Sequence, residues 1–67
     1  MFIEVAEYTS VGCKPLRINI LHIVCFEAEE RDTSKTFMLL TGDRSVTLDN
    51  RYAEIVKLIE DGMKRPY

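Results

Sequence analysis

Apolar and polar positions alternate with a period of two along most of the chain and change to a helical period near its C-terminal end. Phe2-Ile3-Glu4-Val5-Ala6-Glu7-Tyr8 is rich in β-branched and aromatic residues and runs into the turn-like Thr9-Ser10-Val11-Gly12, which predicts a first strand. Lys14-Pro15 cannot lie inside a central strand, because proline has no N–H to give a neighbour. After it Leu16, Ile18 and Ile20 alternate with Arg17 and Asn19 as a half-buried second strand requires. The apolar run continues, with at most a short break, through His22-Ile23-Val24-Cys25-Phe26-Glu27-Ala28, as one bent strand or two successive ones.

The charged stretch from Glu29 to Ser34 suits a solvated hairpin loop. Lys35 to Thr41 reads as the next strand, and Gly42-Asp43 as a two-residue turn of type II′ into Ser45-Val46-Thr47-Leu48. Beyond it Tyr52, Ile55, Val56, Ile59 and Met63 recur at helical spacing behind a candidate N-cap at Asp49 or Asn50. The helix is predicted from about Arg51 to about Asp61, with Glu54 favourably placed near its start and Gly62 as the stop. Lys64 and Arg65 lie beyond that glycine, and Pro66 ends any continuation.

The fold class expected is α+β: one domain spanning residues 1–67, a small antiparallel β-meander of four to five strands, curled or not into a partial barrel, closed by one C-terminal helix. In the segment around Ile23 to Ala28 both alternating sets are apolar, with Val24, Phe26 and Ala28 on one face and Ile23 and Cys25 on the other. The Phe37 to Leu40 strand shows the same pattern, which is that of strands covered on both sides. One short helix covers one face, so curling or a second copy of the chain must cover the other. Ile23, Cys25, Phe37 and Leu39 are therefore the expected oligomer interface.

Size points the same way. At 67 residues the apolar area a chain can bury roughly offsets the entropy of ordering it, so a disulfide, a metal or association is expected to add stability. Two cysteines, Cys13 and Cys25, are too few for a secreted disulfide scaffold and read as reduced thiols. A net charge of −2 offers no excess of positive charge for nucleic acid or anionic lipid. No apolar run reaches the roughly 20 residues of a membrane span, and the start lacks the pattern of a secretory signal, so no membrane partner and a cytoplasmic location are expected.

Candidate chemistry is sparse. Cys13, His22 and Cys25 are the soft or borderline metal ligands, but they lack a closely spaced cysteine pair, and on one strand His22 and Cys25 would point to opposite faces. The same parity argues against a Cys25/His22 nucleophile and base, so neither a catalytic centre nor a cofactor is expected. Gly42-Asp43-Arg44-Ser45 joins two strands instead of opening a helix, so it is a turn and not a phosphate cradle. Lys14, Arg17, Arg44, Lys64 and Arg65 are scattered among acids, and only gathering in an oligomer would make a nucleic-acid surface of them. Glu27, Glu29, Glu30 and Asp32 form an acidic loop, of which Glu29, Glu30 and Asp32 are the expected contacts for a basic partner protein.

Five segments together resemble the FlbD-like family of small bacterial flagellar-associated and swarming proteins: Leu16-Arg17-Ile18-Asn19, Ile23-Val24-Cys25-Phe26-Glu27, Thr36-Phe37-Met38-Leu39-Leu40-Thr41-Gly42, Val46-Thr47-Leu48 and Tyr52-Ala53-Glu54-Ile55-Val56. One hairpin and the helix also look like part of LytTR-type DNA-binding domains, and similar short chains occur in phages and mobile elements as inhibitors of a host component. The resemblance implies a non-enzymatic accessory or regulatory protein; together with the apolar faces of the middle strands, the expectation is a module that binds another protein and self-associates. An oligomeric DNA- or RNA-binding regulator is the alternative.

Overall fold

In the computed structural model, which describes residues 1–64, the chain forms strands β1 (Phe2–Thr9) and β2 (Gly12–Asn19), a 3-10 turn at Ile20–His22, strands β3 (Ile23–Ala28), β4 (Thr36–Leu40) and β5 (Arg44–Leu48), and helix α1 (Tyr52–Lys64). All pairings are antiparallel, in one open sheet of order β2-β1-β5-β4-β3. This is the expected α+β class. A β1–β2 hairpin and a β3-β4-β5 meander are joined where β1 meets β5.

That joint is a single bridge, Glu7 opposite Leu48. The Asp49 N–H donates to the Ala6 carbonyl at 2.7 Å, but the Ala6 N–H donates to Asn50 Oδ1 at 2.9 Å and not to a strand carbonyl. In this register Phe2–Ala6 run on past the C-terminal end of β5, while Arg44–Thr47 extend from the bridge in the opposite direction. Asn50 thus does more than the helix cap expected of it. Its Nδ2 donates to Glu54 Oε2 at 3.0 Å and its carbonyl accepts the hydroxyl of fully buried Thr36 at 2.7 Å, which ties β1, β4 and α1 together.

The connection between β2 and β3 bends the whole sheet. These are its two edges, yet only Ile20–His22 separate them. Four residue steps reach at most about 14 Å, whereas four strand spacings in a flat sheet need about 19 Å. The sheet therefore curls at this end, where the Ile20 N–H donates to the Met1 carbonyl and the Thr41 N–H to the His22 carbonyl, each at about 3 Å. Asn19 opens the turn by accepting the Leu21 N–H on its side chain. Of the two readings of this apolar run, two successive strands is the one adopted.

Ile3, Val5, Ile18, Met38, Leu40, Val46, Leu48 and Ile55 form the core, on the face that α1 covers. Met38, Leu48 and Ile55 are fully buried, and Phe26 meets Tyr52 of the helix with ring centroids 5.2 Å apart. Four sequence expectations are corrected. Strand β2 begins at Gly12 and contains Pro15, which an edge strand tolerates because its nitrogen faces outward. Both Gly42 (φ 79°) and Asp43 (φ 58°) are left-handed in a three-residue connection between paired Leu40 and Arg44, unlike a type II′ turn, which needs positive φ only at its first central residue.

The helix continues through Gly62 to Lys64, with Leu58 packed against the core and Met63 exposed. Gly62 is a point of close approach: a Cβ there would lie 2.8 Å from Ile20 Cδ1. Lastly, a bulge between Ile23 and Cys25 reverses the parity of β3, so Ile23 opposes Leu40 on the core side while Cys25 opposes Leu39 on the far side. Val24, the extra residue, is exposed. The role expected of Pro66, to end any continuation of the helix, lies outside the described residues.

Asn50→Ala removes the partner of the half-buried Ala6 N–H and should lower stability by about 1–3 kcal/mol in urea unfolding. Gly62→Val should cost a similar amount, about 1–3 kcal/mol, by forcing Ile20 out of its place. An unchanged midpoint in either variant contradicts the contact assigned to that residue.

Candidate functional site

The face turned away from α1 has no covering layer among the described residues. By strand parity it carries Phe2, Glu4, Ala6 and Tyr8 of β1, Ser45 and Thr47 of β5, Phe37 and Leu39 of β4, and Cys25 and Glu27 of β3. Phe37 and Leu39 are half-buried and Cys25 is exposed, while Phe2 is 61% exposed. Of the expected interface residues, Cys25, Phe37 and Leu39 are brought together, with Cys25 paired to Leu39. Ile23 is set apart on the helix side by the bulge. A one-residue insertion is invisible to a period-two reading, and no glycine or proline marks it.

At one pole of the sheet lies the β3–β4 loop. Glu30 is exposed, Glu29 is half-buried with its N–H donated to the Lys35 carbonyl, and Asp32 is folded back into the loop. Asp32 accepts the Lys35 ammonium at 2.8 Å on Oδ2, and both the N–H and hydroxyl of Ser34 on Oδ1. Lys35, with Ser34 behind it, holds the Asp32 carboxyl well below the usual carboxylate range, and the same contact raises Lys35. Lys35 also sits 4.6 Å over the Tyr8 ring and 3.8 Å from Asp49. Asp32 is thus engaged in shaping the loop, which leaves Glu29 and Glu30 as its outward acids.

Asp49 extends this cluster by accepting the Cys13 thiol at 3.4 Å, and that hydrogen bond, with the carboxylate charge behind it, raises the thiol above its ordinary value. His22 Nδ1 lies 3.0 Å from Thr41 Oγ1 in the 3-10 turn. Cys13, His22 and Cys25 belong to three different elements, and among the described residues no three His, Cys, Asp or Glu side chains form a metal-holding group.

A cleft of about 370 Å³ opens between the Phe2/Asn19 end of the β1–β2 hairpin, the 3-10 turn and the start of the β4–β5 connection, lined among others by Ile18, Leu40, Arg17, Arg44, His22 and Phe2. Its walls come from both faces of the sheet, since Ile18 and Leu40 belong to the helix side and Phe2 and Arg17 to the far side. Arg17 pairs loosely with Glu4 at 3.5 Å, while Arg44 has no ion pair among the described residues.

No family model matches this chain, and no curated protein or solved structure matches it. The site is therefore read from its own geometry. Sequence reasoning missed the cleft, because Arg17 and Arg44 are 27 positions apart on strands that are not neighbours in the sheet, and the curl at the 3-10 turn brings both to one cleft. No helix among the described residues is long and apolar enough to cross a membrane.

A depressed folded-state value stabilises the native state above the unfolded carboxyl value and loses that effect as pH falls through the folded one. The Asp32 tether should therefore hold at all pH above about 4 and fail only in stronger acid. Carbon-detected NMR titration should place the Asp32 midpoint below the ordinary range, and Lys35→Met should return it upward. In the Asp49→Asn variant the Cys13 thiol should titrate at lower pH, seen as faster alkylation near pH 8; an unchanged rate contradicts the Cys13–Asp49 contact.

Proposed function

We propose that this chain is a small non-enzymatic accessory or regulatory protein that acts by binding another protein and pairs with a second copy of itself. The observation that carries the reading is the bare sheet face, where Phe37, Leu39 and Cys25 meet with no layer over them. Contiguous apolar surface of this kind is costly in water and marks contact sites in soluble proteins. Face-to-face sheet packing buries the alternate residues of each strand about 10 Å from those of the partner sheet, which suits a second copy.

Size supports the reading as well: the core of so short a chain leaves little margin, and burial of a shared face would add to it. The edge strand β3 and its acidic loop, with Glu29 and Glu30 outward, offer contacts for a basic segment of another protein. The resemblance of the five segments to FlbD-like accessory proteins agrees with a binding role and with modulation of a cellular component.

Sedimentation equilibrium tests the self-association. The mass should rise above 7.8 kDa with concentration, and Leu39→Lys should return it to that of one chain with the circular dichroism spectrum unchanged. A wild-type mass of one chain up to millimolar concentration overturns this reading.

A further inference from the structure

Cross-strand partners share a face of a sheet, and along β4 and β5 the pairs Thr36 with Leu48 and Met38 with Val46 are all buried on the core side. The next pair of that series is Leu40 with Arg44. Leu40 belongs to the core, so Arg44 is a charge placed on the face that otherwise carries apolar side chains. It stands at the end of the core, in the cleft beside the 3-10 turn. Leu16 and Ile18 of β2 meet it there, both from the core side of their hairpin, opposite Val5 and Ile3.

Charge in this cleft has one sign. None of the described residues that line it is Asp or Glu, although acids outnumber bases 11 to 9 in the chain. Arg17 shares its charge with Glu4 at 3.5 Å, and His22 and Thr41 are engaged with each other at 3.0 Å. Arg44 enters no ion pair among the described residues. A guanidinium offers a planar fork of donors that matches a carboxylate, and an apolar floor beside it takes hydrocarbon.

We infer that this cleft binds a small organic monocarboxylate, its apolar body on Leu16, Ile18 and Leu40 and its carboxylate held by Arg44, with Arg17 at the rim as a further positive charge. One unpaired guanidinium matches one carboxylate, whereas a doubly charged phosphate monoester would draw on groups that Glu4 and Thr41 already hold. The volume of about 370 Å³ lies at the small end of the range of ligand sites, which sets the ligand at on the order of ten heavy atoms. The site is separate from the bare sheet face, since Phe37, Leu39 and Cys25 are not among its walls, and it stands whether or not the chain pairs with a second copy.

The probe is sodium hydrocinnamate, titrated into the ¹³C,¹⁵N-labelled full chain and followed by methyl and amide chemical shifts. The controls are hydrocinnamamide, which lacks the charge, and sodium acetate, which lacks the apolar body. Saturating shifts are expected at the methyls of Leu16, Ile18 and Leu40 and at the Arg44 side-chain N–H, with a Kd on the order of 1 mM for a ligand of this size. Binding should weaken about tenfold for the amide, for acetate and in Arg44→Gln. The amide spectrum of the variant shows whether it is folded, and the comparison of acid with amide needs no variant. The inference is overturned by shifts that stay linear to about 20 mM probe, by equal affinity for acid and amide or for hydrocinnamate and acetate, by full affinity in folded Arg44→Gln, or by shifts confined to Phe37 and Leu39.

Discussion

Asn50 Oδ1 takes, at the Ala6 N–H, the position that a carbonyl of the neighbouring strand would occupy in a continued ladder. The contact stands immediately beside the only β1–β5 bridge, where β5 ends and β1 runs on alone. A polar side chain in a strand-to-helix connection can compete with backbone partners in this way, since its carbonyl is as good an acceptor as a peptide's. The same residue satisfies buried Thr36 through its own carbonyl and reaches Glu54 in the first turn of α1. One amide therefore sets where the hairpin meets the meander, where the ladder stops and where the helix begins.

The opposite end of the sheet is governed by chain length. Three residues join the two edges, so the sheet must curl, and Ile20 is drawn against the helix at Gly62. Curl at that end and a tie at the other leave an arrangement with one covered face and one bare face. The covered face accounts for the core. The bare face is the surface at which exposed apolar side chains remain, and a binding role draws on it.

Much of this fold was legible in the residues. Period-two alternation locates the strands, helical spacing from Tyr52 onward locates α1, and the charged run after Ala28 locates the hairpin loop, because each pattern reflects local exposure to water. What was not legible depends on partners distant in sequence. The Val24 bulge carries no turn residue, and it alone moves Ile23 from the expected interface to the core side. Gly62 obeys the usual signal for a helix stop, yet here its missing Cβ makes room for Ile20. Pro15 was correctly excluded from a central strand, although only the strand order shows that β2 is an edge. Of the candidate site, the trio Cys25, Phe37 and Leu39 could be read from alternation, while the cleft between Arg17 and Arg44 could not.

The central claim is that the β1–β5 ladder ends where Asn50 takes the Ala6 N–H. Amide hydrogen exchange tests it residue by residue. The account predicts protection at Ala6 and Asp49, whose N–H groups have partners, and loss of the Ala6 protection in Asn50→Ala while the amides of β4 stay protected. Ala6 protection that survives the substitution unchanged would mean another partner for its N–H, and would contradict it.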